Sequence, residues 1–132
     1  MKDSNAFEDF GINISFNIDT IEIDNIFQKI AKNSNTDANS IIQITKSYSK
    51  IRSDIQRGEE ILRIFHINYN SINIPQEFFE NLMDLSYDNL RDLSNDIYKD
   101  MAKIHISSES IGYFSNLFVR YKYIKKAFLN EQ

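Results

Sequence analysis

The chain has 132 residues, of which 42% are hydrophobic and 26% charged, and its net charge is −4. That is enough chain to bury a real core, and the composition fits neither a disordered tail nor a membrane protein. There is no cysteine, so disulfides, thiolate catalysis and Cys-ligated zinc are excluded.

The opening stretch MKDSNAFEDF has neither a basic n-region nor an apolar h-region. No signal peptide is expected, and a cytoplasmic location follows as an expectation. No apolar run approaches the roughly 18 to 20 residues that span a bilayer. In INISFNI, Ile12, Ile14, Phe16 and Ile18 alternate with polar residues, the period of a half-buried strand. Residues 1–18 are therefore expected to be an extended arm. It can form a small β element with 65–69 or 72–74, where apolar residues also alternate.

The period then changes. Ile23, Ile26, Phe27, Ile30 and Ala31 predict a first helix over 20–33, capped by Asp19 or Thr20. NSNTD at 33–37 is a polar break. Ile41, Ile44, Tyr48, Ile51, Ile55, Gly58, Leu62 and Phe65 step by three and four, an a/d seam that predicts one helix over 36–66. Gly58 is its weak point, but the seam keeps its phase there, so continuity is expected. Pro75, the only proline, suits the first turn of a third helix over 75–105, with Asn73 as its cap. Phe79, Leu82, Met83, Leu90, Leu93, Ile97, Met101 and Ile104 make its apolar stripe. SSES at 107–110 opens a fourth helix over 108–129, turned inward by Ile111, Phe114, Leu117, Phe118, Tyr121, Ile124 and Phe128.

Together these predict an all-α fold in a single domain spanning 1–132. The second and third helices would pair as a long antiparallel hairpin, covered by the other two in an elongated four-helix assembly with an extended N-terminal arm. The seam and the arm both offer routes to a homodimer.

Most enzymatic readings fail on inventory. In such a hairpin His66 and His105 lie near opposite ends and share no site. Gly11, Gly58 and Gly112 are isolated, so no phosphate loop exists. Glu59 and Glu60 lack a further ligand one turn on, where Arg63 offers an ion pair to Glu59 instead. Asp88, Asp92 and Asp96 can gather carboxylates for Mg²⁺, but on an exposed helix face nothing encloses the ion. No catalytic residue, cofactor or metal ligand is assigned.

Two surfaces remain. Glu80, Asp84, Asp88, Asp92, Asp96 and Asp100 recur every fourth residue. Each step turns about 40° around the helix, so the acids spiral rather than form a stripe. Consecutive members are like-charged i,i+4 pairs, each costing a few tenths of a kcal/mol. Asp88 to Arg91, Asp96 to Lys99 and Asp100 to Lys103 can soften that. Carboxylates about 6 Å apart along an axis approximate the phosphates of one nucleic-acid strand, so the face can dock on a basic surface. It can equally be a solvated face that keeps an Ile-rich protein in solution.

The second surface lies in GYFSNLFVRYKYIKKAF, where Arg120, Lys122, Tyr123, Lys125 and Lys126 mix cations with rings able to stack on bases. The expectation that follows is a non-enzymatic inhibitor, antitoxin or immunity-type module. It would dock on a partner protein with a basic surface through its third helix. The alternative is a small nucleoprotein subunit that contacts RNA or DNA through its last helix.

Overall fold

The computed structural model describes residues 5–33 and 35–130. Residues 1–4 of the expected arm and Ser34 of the polar break lie outside that range. The fold is all-α: the described residues form helices, turns and irregular segments, with no strand. The chain divides into two compact units at the Ile64–Phe65 junction.

The N-terminal unit holds α1 (Ala6–Asp9), α2 (Thr20–Lys32), α3 (Ala38–Arg52) and α4 (Asp54–Ile64). α3 is the hub against which the other three pack. The arm is not a plain extended strand, because it begins with α1. Asn5 caps α1 by accepting from the Glu8 N–H. Gly11 then closes it with φ 67°, its N–H donating to Glu8 O while the Ile12 N–H donates to Phe7 O. This is the Schellman arrangement, and it needs a residue that tolerates the left-handed region. The turn drives Phe7 and Phe10 into the core beside Phe16, Ile23, Ile44 and Ile51. Full burial of Phe7 and Phe16 stabilises the unit by roughly 1.5–3 kcal/mol each. Residues 12–18 run on without a ladder partner, so the expected β element does not form.

α2 begins where its expected cap, Asp19, predicts, and α3 begins at Ala38, two residues after the expected start. Asp19 accepts from the Ile21 and Glu22 N–H groups, and Asp37 from the Ser40 N–H. That last bond, 2.7 Å long, holds the Asp37 carboxyl below its ordinary pKa.

The expected helix over 36–66 is two helices, and the break falls at Ser53 rather than Gly58. Ser53 takes an extended conformation (φ −88°, ψ 133°). Its carbonyl accepts from the Arg57 N–H and its hydroxyl from the Gln56 N–H, so it caps α4. The break strips Ile51 O of its helical partner, and Arg57 Nη1 fills the gap at 2.9 Å. Arg57 is only 2% exposed, with its guanidinium 4.9 Å from the centre of the Phe16 ring. Gly58 is buried in mid-helix and interrupts nothing.

The C-terminal unit holds a 3-10 turn (Tyr69–Ser71), α5 (Gln76–Met83), α6 (Tyr87–Ala102) and α7 (Ile111–Asn130). The helix expected over 75–105 is also two. α5 ends at Met83 with Asp84 as its C-cap, and Ser86 opens α6 by accepting from the Asn89 N–H at 3.2 Å. Pro75, not Asn73, occupies the N-cap of α5. The stop turns Met83 away from the core, and it is 85% exposed instead of part of the inward stripe. Further on, Leu90, Ile97 and Met101 of the expected stripe are buried on α6 together with Ser94, while Leu93 and Ile104 are half-buried, and α6 packs on α7. α7 buries Ile111, Phe114, Phe118, Tyr121 and Ile124 at helical spacing. Ser107 and Ser110 cap its start through mutual contacts, the Ser107 carbonyl accepting from the Ile111 N–H.

Candidate functional site

The break at residues 84–86 splits the acid series. Glu80 lies on α5, Asp84 caps it, and Asp88, Asp92, Asp96 and Asp100 follow one another on α6; all six are exposed. On α6 they span about 18 Å and turn through about 120°, a tighter array than six rungs on one helix would give. Their face lies away from the Leu90–Met101 stripe, so packing against α7 leaves them in solvent. Arg91 reaches both Asp88 and Asp92 at 3.6 Å. Among the described residues no ion pair joins Asp96 to Lys99 or Asp100 to Lys103. Asp88 gains further from its place in the first turn, where the helix dipole favours a carboxylate. The electrostatic cost therefore falls on the C-terminal half of the row.

α7 does not present its five candidate residues together. Arg120 lies 5.1 Å from the Phe78 ring centre and donates from Nε to Asn116 at 2.8 Å. Lys125 lies 5.7 Å from the Tyr121 ring. Lys122, Tyr123 and Lys126 occur at i, i+1 and i+4, and this spacing places them along one groove. The groove has two adjoining hollows of about 490 Å³ each, which share Phe79, Tyr123 and Lys126. Tyr69, Asn70, Asn73 and Lys122 line the first, with Ile72, Ile74 and Val119. Leu82, Met83, Leu90 and Ala127 line the second. Lys122 Nζ lies 4.5 Å above the Tyr69 ring, and Phe79 meets Tyr123 edge to face at 4.9 Å.

Tyr69, Asn70, Asn73, Phe79 and Met83 were not among the sequence candidates. They reach the groove from α5 and from the segment before it, roughly 40 to 50 residues earlier in the chain than their α7 neighbours. The asparagine-rich run HINYNSINIP was the only local hint of an unusual surface there.

No family model, curated protein or solved structure matches this chain. What these surfaces can do follows from their chemistry alone. Among the described residues no three His, Asp or Glu side chains gather closely enough to hold a metal ion. His66 and His105 are both exposed. No described helix is long and apolar enough to cross a membrane.

In the N-terminal unit several charged side chains hold the fold together. Glu60, 3% exposed, accepts from the Ala6 N–H at 2.9 Å and takes a two-point contact from Arg63 at 2.6 and 3.0 Å. Arg63 thus forms an ion pair with Glu60 at i,i+3. Burial alone would push the Glu60 carboxyl up, but the Arg63 contact and the Ala6 N–H outweigh it and hold the group below the usual carboxylate range. Asp24 joins α2 to α3 by accepting from the Tyr48 hydroxyl at 2.6 Å and from Arg52 at 3.0 Å. Its carboxylate raises the Tyr48 pKa by stabilising the protonated phenol. Asp9 does the same for α1, accepting from Ser47 and Gln43.

Proposed function

We propose that this protein is a non-enzymatic binding module of the inhibitor, antitoxin or immunity type. It docks on a basic surface of a partner protein through the acidic face of α6. One observation carries this reading: Asp88, Asp92, Asp96 and Asp100 stand a turn apart on one helix, all exposed, and among the described residues their ion pairs are with Arg91 at one end. A helix selected for stability alone would alternate the signs. A row of carboxylates about 6 Å apart instead projects a negative potential that steers a basic partner and fixes its register.

The nucleoprotein alternative, contact through Arg120, Lys122, Tyr123, Lys125 and Lys126, has less support. Arg120 and Lys125 lie over rings outside the groove, and the Tyr69 face that a base would stack on is covered by Lys122.

The test is affinity capture from the native host with the wild-type chain and with Asp88→Lys/Asp92→Lys/Asp96→Lys, at low and high salt, identifying bound protein and nucleic acid. A basic protein should be captured by the wild type at low salt and lost by the triple variant, with a thermal melt showing the variant folded. Equal capture by both chains removes the reading, and RNA or DNA as the bound species favours the alternative.

A further inference from the structure

We propose that the groove on α7 is a second docking site, which takes a short segment of a partner protein bearing bulky apolar side chains flanked by carboxylates. It shares no residue with the acid series and does not depend on the α6 reading.

Shape comes first. The two hollows adjoin at Phe79, Tyr123 and Lys126 and open to solvent, so they suit a length of chain better than a compact small molecule. The second hollow is floored by aliphatic groups, with Leu82 and Leu90 buried beneath it. Met83 stands at its edge, 85% exposed. A flexible, polarizable thioether held in water beside an apolar hollow is suited to folding over an incoming side chain. A Leu or Phe side chain seated in this hollow would lie beside Met83.

Charge sets the partner's chemistry. In the C-terminal unit the acids outnumber the bases, nine to seven. Yet the groove wall contributes Lys122 and Lys126 and not one carboxylate. The two ammonium groups arise one turn apart, about 6 Å along α7. Asn70 and Asn73 line the same hollow, and their side-chain amides can both donate to and accept from a peptide backbone.

A single-stranded nucleic acid would use the same lysines but fits less well. Stacking needs open ring faces, whereas Lys122 covers Tyr69 and the Phe79 ring is engaged edge to face with Tyr123. An aliphatic floor also offers a base edge no hydrogen bond.

The experiment selects a random twelve-residue peptide library on the full-length chain and measures the winners by fluorescence anisotropy. A twelve-nucleotide oligothymidylate is measured in parallel. Selected peptides should combine Leu, Ile, Phe or Met with Asp or Glu. Their affinity should fall about tenfold for Lys126→Glu and recover when the matching peptide acid is changed to Lys. Met83→Asp should weaken them similarly. Asp88→Lys/Asp92→Lys/Asp96→Lys should leave peptide binding in place, which separates this site from the α6 surface. Lys126 and Met83 are exposed, so a thermal melt should show both variants folded. The proposal is overturned if no peptide is enriched, if enriched peptides ignore both groove substitutions, or if only the oligonucleotide responds to Lys126→Glu.

Discussion

The two units differ in how they use charge. Among the described residues only the N-terminal unit buries charged side chains: Arg57 and Glu60 of α4, one holding a carbonyl freed by a helix break and the other holding the first turn of α1. In the C-terminal unit Asp88, Asp92, Asp96 and Asp100 line the solvent face of α6, and Lys122 and Lys126 line an open groove. Buried charges are structural commitments, because each must be satisfied on the spot or the unit destabilises. Exposed charges contribute little to stability and stay available to a partner. The comparison therefore separates a unit whose charges hold it together from a unit whose charges face outward.

The largest expected effect tests that contrast directly. Arg57→Ala removes the bond to Ile51 O, the guanidinium above Phe16 and a large buried volume, and should cost about 3–5 kcal/mol. Arg91→Ala, on the exposed row of α6, should cost under about 0.5 kcal/mol. Urea titration combined with hydrogen exchange read separately in each unit checks both values. Similar costs for the two arginines would erase the distinction.

Next comes Glu60. Its carboxyl titrates below the usual range in the folded chain, so it adds stability that is fully present above the ordinary glutamate pKa. That stability is lost as pH falls through the lower, folded value. The N-terminal unit should therefore weaken on acidification below about pH 4. Glu60→Gln should flatten this part of the profile. At neutral pH it should cost about 1–3 kcal/mol, because a neutral amide cannot replace the paired, hydrogen-bonded carboxylate. Thermal melts of both chains from neutral to acid pH give the comparison. An unchanged acid limb in the variant would mean that other carboxylates govern it.

These predictions rest on features that sequence pattern could not supply. The helical periods, the Asp19 cap and much of the buried faces of α6 and α7 were legible, because each depends on residues a few positions apart. Both helix breaks were missed for one reason. The apolar seam ran in phase through Ser53 and the acid series through Ser86, and a continuing period outweighed a single capping serine. The role of α1 was hidden because four residues carry no periodicity. Arg57 above Phe16 joins residues 41 positions apart, and no local rule reaches that far. The same limit applied to the groove. Lys122, Tyr123 and Lys126 were among five basic and aromatic candidates of the last helix, whereas Tyr69, Phe79 and Met83 joined them only through the fold.

A smaller effect concerns how helices end. Gly11 and His66 both adopt left-handed backbone, at φ 67° and 58°. A Cβ at Gly11 would meet nothing within 4 Å, so Gly11→Ala should cost about 1 kcal/mol through backbone strain alone. His66→Gly should move the other way, and by less, since the added freedom of the unfolded chain offsets part of the relief. Melting temperatures of the two variants test the pair. A stabilised Gly11→Ala would show that the turn is not strained by a side chain.

The smallest effect bears most directly on function. Asp96 stands between Asp92 and Asp100 with like charge one turn to each side and no ion pair to Lys99. Asp96→Lys replaces two repulsions with two attractions and should raise stability by a few tenths of a kcal/mol. If the row serves only to keep α6 solvated, a stabilising substitution of equal polarity should leave every partner interaction intact. If the row is a docking face, the same substitution should stabilise the chain while weakening its capture of a basic partner. A gain in melting temperature together with a loss of binding would identify a residue kept at a cost to the fold, which a solvated surface gives no reason to keep.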